Sequence, residues 1–274
     1  GHYALRAGVD PMQMWFTSAG MAQAYVTLAE RYRFDGALVN LPGRHPDTLD
    51  WVERTEDTPE GAKVHFKQGG YCLVPPDDNV YYFGDDGSRR FPSFDEVDPE
   101  RLYYVEPWDT TCVSYPYRWG FDEPAEPGGE FFPPYIHDTL KEVLAKVGDT
   151  LSVHSEVFSP FSQFMELLDF QNGLMALMDD RGKCHAMLER LTEGAIDLGC
   201  RQAECGVEAV LISSAFAGAG FIGRDMYSEF VLPYEKKLIE GVKRRFDVKV
   251  YTHTCGAIGD RLEMMLETGT NGID

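Results

Sequence analysis

In the run His253-Thr254-Cys255-Gly256, a histidine and a cysteine stand two residues apart between a strand-like segment and a helix-like one. Side chains two apart on a strand project to the same side. An imidazole nitrogen and a thiolate placed that way can reach one ion, and zinc suits a mixed nitrogen and sulfur set. Gly256 lets the backbone turn sharply, and Gly269 is placed to close the helix that follows. A strand end with a histidine and a packed cysteine satisfies the same spacing, because a pair is only half of a zinc site.

His154 and Glu156 repeat the two-residue spacing at the end of an earlier strand. They can serve catalytically as proton donor and acceptor, orient a metal ligand from behind, or contact substrate. A hydrogen-bonded polar pair filling an interior fits them equally well. Arg44-His45 follows the first strand, where Arg44 is a candidate anion contact and a solvated loop pair is the alternative. Ser213-Ser214 ends another strand ahead of Ala217-Gly218-Ala219-Gly220, and Ser214 is read as a substrate contact. The glycines form neither GxGxxG nor GxxxxGK[ST], and no GxSxG surrounds the serines, which disfavours a phosphate cradle and a hydrolase nucleophile.

The elements that must position these residues alternate. Apolar positions at helical spacing over 10–33 predict a helix, and Phe34 to Asn40 reads as a turn into a short buried strand. From 41 to 133, turns rich in Pro, Gly and Asp enclose short runs such as Ala62–Phe66 and Val80–Phe83, predicting a β-rich insertion. The aromatic run at Tyr115, Tyr117, Trp119 and Phe121 is read as packing that insertion. Beyond it the expected order is helix 134–147, strand 150–156, helices 160–180 and 184–205, strand 207–213, helix 224–246, strand 248–254 and helix 257–268. Strand and helix in turn predict a parallel sheet. Leu151, Val153 and Val157 share one strand face and Ser152, His154 and Glu156 the other. Val248 and Val250 likewise oppose Tyr251, His253 and Cys255. An apolar face under helices with a polar face at the C-terminal strand end predicts an α/β fold of the (β/α)8 TIM-barrel type, with residues 1–274 as one barrel domain. Fewer than eight strands are legible and another begins at Gly272-Ile273-Asp274, so the barrel is expected to be truncated at the C-terminus.

Forty-three per cent hydrophobic residues, 17 Phe and 14 Tyr supply a sizeable core, which excludes disorder over most of the chain. With 45 acidic against 25 basic residues the net charge is −20, and nucleic acid and anionic membrane surfaces are not expected partners. No stretch of about 20 apolar residues and no secretory pattern appears, so a cytoplasmic location is expected. Six scattered cysteines without a CxxC fit reduced thiols better than a disulfide framework.

Three stretches resemble the uroporphyrinogen decarboxylase superfamily, in particular its cobalamin-linked (methylcobamide) methyltransferase branch. They are Tyr32-Arg33-Phe34-Asp35-Gly36-Ala37, the segment from Tyr227 to Lys237 around Leu232-Pro233-Tyr234, and the His253-Thr254-Cys255-Gly256 turn with Glu267-Thr268-Gly269 behind it. The resemblance runs from about residue 10 to the last residue and is loosest over the insertion. It implies a (β/α)8 barrel, in agreement with the strand polarity. It also implies that His253 and Cys255 are the first two of three zinc ligands, with the third lying beyond Asp274 or replaced by a residue such as Glu156. The decarboxylase's arginine-rich N-terminal motif has no counterpart, and Asn40 stands where its active-site aspartate would be, which makes Asn40 a candidate substrate contact. The expected function is zinc-dependent methyl transfer between a corrinoid cobalt, carried by a partner corrinoid protein, and a small thiol or methoxylated compound. A uroporphyrinogen decarboxylase-like carboxy-lyase and a non-catalytic ligand-binding barrel are the alternatives.

Overall fold

The computed structural model describes residues 2–67, 69–87, 92–105 and 131–274. These form two compact units. The described residues up to 87 with 132–154 make the first, and residues 92–105, 131 and 155–274 the second. The aromatic run at Tyr115 to Phe121 lies outside the described residues.

The first unit opens with helices α1 (His2–Arg6), α2 (Pro11–Phe16) and α3 (Ser18–Tyr32). The helical periodicity over 10–33 is therefore divided at Thr17, whose extended backbone (φ −132°, ψ 143°) ends α2 while its side chain accepts from the Gly20 amide and caps α3. A Cβ on Gly20 would lie 2.0 Å from the Gln13 carbonyl oxygen, so only glycine allows the sharp crossing of α2 and α3. Arg33, at φ 54°, closes α3 and turns the chain into β1 (Gly36–Val39). Four short strands follow as an antiparallel sheet in sequential order: β2 (Val52–Thr58), β3 (Gly61–Phe66), β4 (Tyr71–Val74) and β5 (Tyr81–Phe83). The runs read as strands over 62–66 and 80–83 are β3 and β5. A single turn of 3-10 helix (Pro134–His137) leads into α4 (Asp138–Val147), which packs on α3. β6 (Ser152–Phe158) starts beside β1, where the Ser152 amide donates to the Asp35 carbonyl at 3.0 Å.

In the second unit β6 is followed by α5 (Pro160–Leu168), α6 (Phe170–Asp179), α7 (Arg181–Glu204), β7 (Ala209–Ser213), α8 (Arg224–Phe230), α9 (Leu232–Arg245), β8 (Lys249–His253) and α10 (Leu262–Glu267). β7 lies between β6 and β8, and it pairs with β8 in parallel, with Ser213 opposite His253. The strand expected at Gly272–Asp274 begins as a parallel bridge between Ile273 and Thr252. The described chain is thus a mixed α/β fold with a parallel sheet, as the alternation of elements requires. β7 is buried along its length. On β6 the odd-numbered residues are buried and His154 and Glu156 are half-buried; on β8, Val250 and Thr252 are buried while Tyr251 and His253 are half-buried. The face alternation read from the sequence is therefore realised.

Three more of the predicted helices are broken or start late. The one over 160–180 breaks at Asp169, which sits at φ 63° and caps α6 through the Gln171 amide. The one over 224–246 breaks at Val231, ahead of Pro233 in the first turn of α9, where a missing N–H costs nothing. The helix expected from 257 starts only at Leu262, because Gly256 at φ 85° sends the chain into turns first. Gly199 on α7 and Gly241 on α9 face Val242 and Ile196 where a Cβ would clash at 2.9 and 2.8 Å, so these two helices pack closely. Among the described residues no helix is long and apolar enough to cross a membrane.

Candidate functional site

β8 carries His253 to the end of the sheet with Cys255 two residues on, and Gly256 at φ 85° turns the chain just after it. His253 Nε2 and Cys255 Sγ are 3.3 Å apart. Zinc bonds of roughly 2.05 Å to nitrogen and 2.3 Å to sulfur at a tetrahedral angle require a separation of about 3.6 Å, close to the distance between these two atoms. The other ring nitrogen, Nδ1, lies 3.5 Å from Asp274 Oδ2. Asp274 thus faces the ring nitrogen that is not turned toward Cys255. Cys255 is exposed, whereas Cys72, Cys184 and Cys200 are buried, and none of these thiols is in a disulfide. Burial pushes the Cys184 thiol up to about 12 and raises that of Cys200, which leaves them inert.

Among the described residues no group of three or more His, Cys, Asp and Glu side chains is arranged around one point. Glu156 therefore does not complete the pair, contrary to the expectation that it might be borrowed. β7 separates β6 from β8, and two inter-strand spacings amount to roughly 9.6 Å. Glu156 remains in electrostatic reach of Tyr251, whose phenol is raised by burial and then by Asp274 and Glu156. Its backbone carbonyl accepts from Gln202 Nε2. In the first unit His154 Nε2 meets Ser152 Oγ at 3.0 Å.

Asn40 is exposed just past β1 and its Oδ1 accepts from the Tyr25 hydroxyl. Arg44 is only 3% exposed, so the solvated-loop reading is corrected: its Nε donates to the Trp15 carbonyl at 3.0 Å, and its amide donates to Ser18 Oγ at 2.7 Å. It nevertheless borders a cavity of about 330 Å³ shared with Thr17, Ser18, His45 and Lys141. Ser214 has no accessible surface. Its hydroxyl donates to Glu235 Oε1 in a short contact, with the Ser159 hydroxyl 3.1 Å away and the Tyr227 hydroxyl 3.4 Å from Glu235 Oε2. Burial pushes the Glu235 carboxyl up to about 7, against the Ser214 and Tyr227 hydrogen bonds that pull it down. In the sequence Glu235 stands within the Tyr227 to Lys237 stretch that carries the family resemblance, with no role assigned to it. The signal that marks it is its spacing from Leu238, Ile239 and Val242 on the apolar stripe of α9.

Residues 123–274 match the family model described as uroporphyrinogen decarboxylase (URO-D). The chain belongs to the uroporphyrinogen decarboxylase family. Within the family it is similar to proteins of two activities. One is the methylcobamide:CoM methyltransferase MtbA of Methanosarcina acetivorans, 28% identical over 141 residues that are 50% of this chain and 40% of that protein. The other is the uroporphyrinogen decarboxylase of Acinetobacter baylyi, 36% identical over 92 residues, 32% of this chain and 25% of that protein. The matches thus span less than half of these relatives. The fold is shared with a methyltransferase from Methanosarcina mazei, with a TM-score of 0.59 at 14% identity over 97% of this chain and 67% of that one.

Proposed function

We propose that this URO-D family chain is part of a zinc-dependent methyltransferase on a (β/α)8 barrel, moving a methyl group between a corrinoid cobalt and a small thiol or methoxylated compound. One observation carries the reading: a histidine nitrogen and an exposed cysteine sulfur, 3.3 Å apart, end a parallel strand. The similarity to MtbA of Methanosarcina acetivorans supports it.

His253 Nε2 and Cys255 Sγ are the atoms that would hold the zinc. Bound there, zinc supplies Lewis acidity, which lowers the pKa of a thiol or polarises a methoxy oxygen. Asp274 places a carboxylate 3.5 Å from His253 Nδ1, where it favours a proton on that nitrogen and leaves Nε2 for the metal. His154 and Glu156 on the polar face of β6 are assigned to proton handling, and Asn40 and Arg44 to substrate contacts; Ser214, expected as a third substrate contact, is instead sealed inside with its hydroxyl committed to Glu235. The corrinoid arrives on a separate protein in the cytoplasm.

The test is direct. The purified protein should contain about one zinc per chain by elemental analysis, and with zinc present it should interconvert methylcobalt(III) and cobalt(I) corrinoid spectra when offered thiols or methoxyarenes. Turnover of uroporphyrinogen would favour the carboxy-lyase activity of the Acinetobacter relative, and a silent corrinoid spectrum across the panel would overturn methyl transfer.

A further inference from the structure

The loop between β7 and α8 is pinned at both ends by buried charged side chains that the proposed chemistry does not use. At its start Ser214 donates to Glu235, which is 1% exposed and comes from α9. Further along, Arg261, with no exposed surface, donates from Nη1 to the Ala217 carbonyl at 2.7 Å and from Nη2 to the Ile222 carbonyl at 2.9 Å. Asp260 neutralises Arg261 through Nε and Nη2, and the guanidinium lies 5.4 Å from the Tyr227 ring centre. Between these anchors the loop meets the His253–Ala257 turn through its backbone. The Ser214 amide donates to the His253 carbonyl at 2.9 Å, and the Ala219 amide to the Ala257 carbonyl at 2.8 Å. Gly218 closes the contact, since a Cβ there would sit 2.0 Å from the Cys255 carbonyl oxygen. The glycine-alanine run is thus a backbone surface fitted to the His-x-Cys turn rather than a phosphate cradle.

We propose that Glu235 and Arg261 are positioning residues for His253 and Cys255, setting the separation of the two donor atoms through the loop 214–222. The proposal rests on the metal reading above. Neither residue touches the donors. Each fixes a backbone segment that in turn fixes the carbonyls of residues 253, 255 and 257, leaving the turn little freedom to open. Outer partners of metal ligands are worth about 10–100-fold in metal affinity when removed.

The experiment measures zinc affinity by chelator competition and records the visible spectrum of the cobalt(II)-loaded protein. Glu235→Leu keeps the volume but offers Ser214 no acceptor. Arg261→Met removes the donors to Ala217 and Ile222. Both should weaken zinc by about 10–100-fold and alter the cobalt ligand-field bands, while Glu235→Gln, which keeps an acceptor oxygen, should return affinity and spectrum to the wild-type values. Gly218→Ala tests the loop-to-turn contact itself, since its Cβ would meet the Cys255 carbonyl, and should weaken zinc as well; the Arg261→Met result decides the matter if Glu235→Leu fails to fold. Folded Leu, Met and Ala variants with wild-type affinity and spectrum would overturn the positioning role. Wild-type protein that takes up neither zinc nor cobalt would overturn the metal reading itself, a separate result.

Discussion

The turn after β7 and the turn after β8 start alike, with polar residues at the ends of neighbouring parallel strands, and end up opposite in use. After β7 the hydroxyl of Ser214 is sealed in and committed to Glu235 and Ser159. After β8 the His253 and Cys255 donor atoms stay within reach of solvent, with Asp274 behind the ring. A buried polar atom must be satisfied internally and so becomes a fixture. An accessible pair with matched spacing keeps coordination capacity for a ligand.

The largest expected effect breaks the open turn. His253→Ala and Cys255→Ser each remove a proposed metal donor and should lower zinc affinity by more than about 100-fold, beyond what outer-partner changes cost. Elemental analysis and chelator competition read this directly, and unchanged zinc content in both variants would erase the distinction between the turns.

The sealed turn should show itself in the pH dependence of stability. Glu235 is raised in the folded state from 4.5 to about 7, so the native protein holds this proton more tightly than the unfolded chain. Its stabilising contribution is complete below about pH 4.5 and is lost as pH rises through about 7. Melting wild type and Glu235→Gln side by side over this window should show the wild type losing ground to the variant as pH rises. A difference that stays constant with pH, or one that grows in the other sense, would mean that the carboxyl is not sealed.

The smallest effect is expected at Asp274. Its carboxylate is 70% exposed and 3.5 Å from His253, so solvent screens the pair. Asp274→Asn should weaken zinc by less than the roughly tenfold lower limit typical of buried outer partners. A loss as large as that of His253→Ala would show that Asp274 is itself a ligand, and competition titration separates the two outcomes.

Much of the open turn was legible in the sequence. Period-two alternation assigns Val250 to the core and Tyr251 and His253 to the other face, and a glycine after Cys255 announces the turn, because both signals are local. The helix breaks at Thr17, Asp169 and Val231 were not, since a residue that caps one helix while ending another lies within an unbroken periodic pattern. The sequence singles out neither Glu235 nor Arg261, since a charged side chain carries no local mark of the groups that will cover it. Only the packing of α9 and the fold of the 214–222 loop supplied the hydroxyls and carbonyls that make their burial affordable.

The sequence by itself thus determined the types of the elements, the polar faces of β6 and β8, the His-x-Cys turn and the family, because these depend on residue identity and short-range spacing. Tertiary structure alone decided that Ser214 is interior, that Arg44 is anchored rather than solvated, and that Glu156 stands two strands from His253. Those outcomes depend on which distant segments cover a side chain, and desolvation is a property of the packed neighbourhood that no single stretch of chain carries.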